Sequence, residues 1–166
     1  SPVQLNDASL YERVLGVLEK YDYPAERLSL EITESAEVHF DEHLITSLEN
    51  LKSSGISLSL DDFGTGYATF SNLNSLPVTV IKTDRSFVSD IEKDSYLRHT
   101  IRVMVEFAHA AGMKVIAEGV ETEGQKEKLH ELGCQNYQGF LFSKSLPFDD
   151  FLQFARDHAP GRKTVR

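Results

Sequence analysis

The sequence predicts an α/β chain of βα units laid on a parallel sheet of barrel type, and three observations carry that prediction. Short β-branched and Leu-rich runs alternate with longer amphipathic stretches. Acidic residues recur where those short runs end. The glycine fingerprint of a dinucleotide-binding sheet is missing after the first run, where Glu31, Thr33, Glu34 and Ser35 stand instead. A complete (βα)8 barrel takes about 250 residues and eight strands. The 166 residues here offer five strand candidates, so the expectation is a barrel truncated at its N-terminus. Residues 1–158 would form the partial domain and 159–166 a disordered basic tail.

The elements follow in chain order. Residues 9–21 read as an amphipathic helix, and 27–32 as the first strand, with Leu28 and Leu30 apolar. In 41–53, Leu44, Leu48 and Leu51 fall at helical spacing, and Gly55 stands just beyond as a stop. Residues 57–62 and 79–84 are the second and third strands. The longest helix, 95–111, sets Leu97, Ile101, Val105 and Ala108 on one face and ends before Gly112. Residues 114–118 are the fourth strand. Thr122 and Gln125 then have capping-box spacing at the head of a helix over 122–132, with Gly133 as its stop. A weaker strand, 136–142, and a helix, 148–158, complete the pattern ahead of Pro160 and Gly161.

Charge and composition narrow the function. Lys plus Arg number 17 against 26 Asp plus Glu, a formal charge of -9, which argues against a nucleic acid polymer as partner. An anionic small molecule stays compatible if divalent cations stand between it and the acids. The single cysteine, Cys134, excludes an internal disulfide or a thiolate zinc cluster, reads as a buried small apolar residue, and points to a reducing cytoplasm. No apolar run approaches the roughly 20 residues that span a bilayer. The six histidines fall mostly on helical segments and read as surface or core-edge residues.

Glu31, Asp61 with Asp62, Asp84 and Glu118 each lie at or next to the C-terminal end of a strand candidate. In a barrel those ends meet at one mouth. Carboxylates gathered there repel one another unless cations hold them, and hard oxygen donors suit Mg²⁺ or Mn²⁺. A carboxylate shared between two ions is how a pair of metals is held for phosphoryl hydrolysis. Alternation would send Asp61 and Asp62 to opposite faces, unless the backbone turns at the strand end. Lys82 shares the parity of Val80 and Asp84; a lysine within such an apolar strand either closes a structural ion pair or orients water and neutralises a phosphate oxygen. Residues 63–67 form a glycine-containing loop able to approach a ligand closely. Asp62, Phe63 and Gly64 spell a kinase metal-binding triplet, but the other kinase motifs are absent and that reading fails.

Taken together, Leu30-Glu31-Ile32-Thr33-Glu34-Ser35, Leu60-Asp61-Asp62-Phe63-Gly64-Thr65-Gly66-Tyr67, Ile81-Lys82-Thr83-Asp84-Arg85-Ser86-Phe87-Val88, Ala117-Glu118-Gly119-Val120-Glu121-Thr122 and Gln138-Gly139-Phe140 resemble the EAL-domain cyclic di-GMP phosphodiesterases. The resemblance implies a modified TIM barrel that uses Mg²⁺ or Mn²⁺, two per complete site, to hydrolyse bacterial cyclic di-GMP to linear pGpG. By position, Glu31 and Asp61 match ligands of the first metal, and Asp61, Asp62 and Glu118 those of the second. Lys82 matches the lysine beside the attacking water, and Glu34 the acid that fixes the 63–67 loop, part of the family's dimer interface. Glu121 and Gln138 match further active-site positions, with Gln138 and Asp84 assigned to substrate. The Glu-Ala-Leu triplet and the Val-Asn pair, which supply two further ligands, occur nowhere in the sequence. The expectation is a competent cytoplasmic parent enzyme, with an upstream sensory or GGDEF-type domain and an inner-membrane anchor both possible in it, and an inactive, self-associating fragment. A noncatalytic cyclic di-GMP receptor and an interaction scaffold are the alternatives.

Overall fold

The structure is a computed structural model that describes residues 2–5, 7, 9–33, 42–64, 73 and 76–158. Glu34, the 65–67 part of the glycine loop and the 159–166 tail lie outside the described residues. Five strands, β1 (Ser29–Thr33), β2 (Ser57–Phe63), β3 (Val80–Thr83), β4 (Lys114–Glu118) and β5 (Asn136–Gln138), form one sheet in the order β1-β2-β3-β4-β5. Every neighbouring pair is parallel. Each strand is laid beside the last with no reversal of order. That is the winding of a barrel, whereas a doubly wound sheet reverses direction at its switch point.

Among the described residues the helices are α1 (Pro2–Leu5), α2 (Leu10–Lys20), α3 (Glu42–Ser53), α4 (Ser86–Ser89), α5 (Ser95–Ala110), α6 (Glu123–Glu131) and α7 (Phe148–Asp157). Leu44, Leu48 and Leu51 on α3 are buried, as are Ile101, Val105 and Ala108 on α5, whereas Leu97 is only partly so. Asp94 caps α5 by accepting from the Tyr96 and Leu97 amides, and the Thr122–Gln125 capping box forms at α6. Gly55, Gly112 and Gly133 take the left-handed conformation at the expected stops.

Strand pleat divides the sheet residues in two. Leu58, Leu60, Ile81, Val115 and Ala117 face the helices and are buried. The register rows Glu31↔Ser59, Thr33↔Asp61, Lys82↔Ile116 and Glu118↔Gln138 share the opposite face. One parity therefore holds the sheet to its helices and the other carries the polar groups.

Four elements differ from the sequence reading. Arg27 ends a 3-10 turn, Ala25–Arg27, so β1 starts two residues later than expected. The fifth strand stops at Gln138, because Phe142 and Ser143 donate back to the Gly139 carbonyl and turn the chain. Helices α1 and α4 were not foreseen; at four residues each they are too short for an apolar period to register. All described histidines are exposed, and Cys134 is buried, as expected.

Leu58 is fully buried at the centre of the helix-facing side, so Leu58→Ala is expected to destabilise the chain by about 2–5 kcal/mol, read from the urea midpoint. A loss within error would mean that this face is not the core.

Candidate active site

Lys82 brings the expected acids to one place. Its side chain is 6% exposed, and its Nζ lies 2.7 Å from Glu31 Oε1, 3.2 Å from Asp61 Oδ1 and 2.6 Å from Glu118 Oε1. The ammonium thus joins β1, β2 and β4 to β3 at the C-terminal ends of the strands. Burial alone would push the Lys82 pKa down, but the close contacts with the Glu118, Glu31 and Asp61 carboxylates outweigh it and hold the pKa well above its ordinary value. The lysine is therefore a permanent cation near neutral pH. Both readings of Lys82 start from this ion-pair cluster.

Asp61 and Asp62 reach the mouth by a device the sequence did not reveal. Between Leu60↔Ile81 and Phe63↔Thr83, β2 accommodates one residue more than β3. At this bulge Asp62 takes φ 56°, in the left-handed region that Asp tolerates better than most residues. Partial burial, then the nearby charges of Asp61 and Asp84, hold the Asp62 carboxyl above its ordinary pKa.

Asp84, directly after β3, accepts from the Ser86 hydroxyl and amide, which hold its pKa down. It lines a cleft of about 260 Å³ together with Arg85, Glu118, Glu121, Gln138 and Phe140. Arg85 Nη2 pairs with Glu121 Oε1 at 2.7 Å. Gly119 makes that approach possible, since a Cβ there would overlap the Arg85 side chain. Arg85 and Phe140 are site residues the sequence reading missed. The available signal was position: each directly follows an expected site residue or its glycine.

Two sites therefore adjoin, the lysine cluster and the cleft, with Glu118 common to both. The donor set suits a hard divalent cation. Asp61 Oδ1 and Glu118 Oε1 are buried and meet the ammonium at ion-pair distance, yet accept no directed hydrogen bond. Among the described residues no three acids already close on a cation-sized point; they close on Lys82.

Comparison with known proteins places the chain. The profile of the EAL domain matches residues 1–145. The chain belongs to the EAL-domain family. It is 40% identical over 165 residues to the cyclic di-GMP phosphodiesterase NbdA of Pseudomonas aeruginosa, a match covering 97% of this chain and 21% of that protein. The EAL domain of Mycobacterium smegmatis DcpA superposes with a TM-score of 0.90 at 38% identity, over 95% of this chain and 70% of that one. BlrP1 of Klebsiella pneumoniae, solved with manganese and cyclic di-GMP, matches with a TM-score of 0.78 at 28% identity, over 85% of this chain and 36% of that one. The chain spans about a fifth of the length of curated relatives such as NbdA. Its sheet is the five-stranded part of the TIM-barrel-type EAL fold.

The raised Asp62 pKa has a definite sign. A carboxyl that is protonated more readily in the folded state supports folding in acid, and that support is lost as pH rises through its folded pKa. Asp62→Asn is thus expected to raise the melting temperature of the chelator-treated protein at pH 7, with the gain fading below about pH 4. A gain that persists unchanged in acid would point to a cause other than charge.

Proposed function

We propose that this segment is part of an EAL domain that hydrolyses one phosphodiester bond of cyclic di-GMP to give linear pGpG, with Mg²⁺ or Mn²⁺ in its site. The observation that carries this reading is the convergence of Glu31, Asp61 and Glu118 on Lys82, with two buried carboxylate oxygens that accept no directed hydrogen bond. Glu31, Asp61, Asp62 and Glu118 would hold the cations, with Asp61 shared. The cations supply positive charge against the phosphodiester and make water a stronger nucleophile near neutral pH.

The chain's own groups do the rest. Lys82 would orient the attacking water and, as an ammonium, offset negative charge developing on phosphate oxygen. In the metal-free chain the same ammonium compensates the acids. Asp84 and Gln138 hold the nucleotide in the cleft. Glu121, held by Arg85, sets the cleft wall next to Glu118. Glu34 is proposed to fix the 63–67 loop. The cytoplasm, where a lone buried thiol stays reduced, is the proposed compartment.

In the complete protein, Asp61→Asn is expected to lower pGpG formation by orders of magnitude, because the shared ligand is lost. This 166-residue chain alone should form none with Mg²⁺ or Mn²⁺, since two ligand-bearing motifs of the family are not in it. Product from the isolated chain, or undiminished product from Asp61→Asn, overturns these ligand assignments. Tight binding of cyclic di-GMP by the complete protein without any product would identify a receptor instead.

Self-association of the chain is proposed on separate grounds. β1 and β5 have one unpaired edge each in the described sheet, and α7 buries no residue while Phe148 and Phe151 stand 72% and 51% exposed. Unpaired edges and apolar faces seek partners. Light scattering at micromolar concentration is expected to give a mass above 18.7 kDa; a stable monomer would count against it.

A further inference from the structure

A buried side chain outside both the lysine cluster and the cleft joins the loops that form the cleft wall. Gln125, on the first turn of α6, is 6% exposed. Its Oε1 accepts from the Glu121 amide at 2.7 Å and the Thr122 amide at 3.1 Å. Its Nε2 donates to the Ser89 carbonyl, at the end of α4, at 3.3 Å. Thr122 Oγ1 accepts from the Gln125 amide and donates to Glu92 Oε2 at 3.3 Å. Gly124 leaves room for that carboxylate, which a Cβ would overlap. Arg98 Nη1 holds the same turn through the Ile91 and Glu92 carbonyls. The head of α6 and the turn after α4 are therefore one hydrogen-bonded unit.

The residues just before each side of that unit face the cleft. Arg85 leads into α4 and Glu121 into α6, and they form the 2.7 Å ion pair that lines the cleft. We infer that Gln125 is a positioning residue: its donor end ties α6 to α4, and the tie keeps Arg85 and Glu121 set for the cleft's ligand. The inference rests on reading the cleft as part of the nucleotide site. A capping box alone does not call for glutamine here, because Glu accepts from the same amides equally well. What Glu lacks is the amide NH₂, the group that reaches Ser89.

Two variants of the complete protein separate the cap from the tie. Gln125→Glu keeps an acceptor for the amides and sets a carboxylate against the Ser89 carbonyl. Gln125→Lys keeps a donor for Ser89 and abandons the cap. Hydrogen–deuterium exchange over 86–89 and 119–122 is read beside the melting temperature, and cyclic di-GMP affinity is measured with calcium in place of Mg²⁺ or Mn²⁺, with any pGpG formed counted. Gln125→Glu should melt close to the wild type, yet exchange several-fold faster in both segments and bind about tenfold more weakly. Gln125→Lys should melt lower but keep more of the affinity. Wild-type exchange or wild-type affinity in Gln125→Glu overturns the positioning role, as does an equal affinity loss in Gln125→Lys. If the wild type itself binds no cyclic di-GMP, the cleft reading fails, and the exchange data still decide whether the tie exists.

Discussion

An ammonium enclosed by three carboxylates is the constraint on which this molecule turns. Moving Lys82 out of water is costly, and so is gathering Glu31, Asp61 and Glu118; each cost is offset by the other only when the four groups meet in good geometry. The groups come from four strands, so the meeting depends on every register between β1 and β4. A slip of one residue in β3 would turn Lys82 toward the helices and Ile81 toward the mouth. The cluster thus ties the sheet's register to its chemistry, and the metal-free chain balances charge with the lysine that the proposed reaction uses as a donor.

The two faces of the sheet divide the labour. Leu58, Leu60, Ile81, Val115 and Ala117 bind the sheet to α3, α5 and their neighbours, while the opposite parity is released from packing and can carry charge. The same strand ends hand the chain to loops held by specific contacts. Asp84 is fixed by Ser86, Arg85 by Glu121, and the head of α6 by Gln125 and Glu92. These contacts give the cleft a wall of defined spacing beside the lysine cluster, with Glu118 belonging to both.

Much of this was legible along the chain because it is local. Apolar runs ending in acids marked β1 to β4, the spacing of Leu44, Leu48 and Leu51 marked α3, and Thr122 with Gln125 marked the cap of α6. The end of β5 was not, since a turn closing on the Gly139 carbonyl competes with a run that looks extended through Phe142. Nor was the second task of Gln125: its acceptor bonds lie within four residues, but its donor bond reaches 36 residues back to Ser89.

By itself the sequence determined the βα order, the parity that separates core from mouth, the acids at the strand ends and the family, all of which depend on residue type and short spacing. Only the tertiary structure decided that β2 bulges at Asp62, that Lys82 compensates three acids at once, and that Arg85 pairs with Glu121. Those outcomes depend on which strands lie side by side and in what register. Register is settled by the summed burial of whole strands and helices, a quantity that no short stretch of sequence contains.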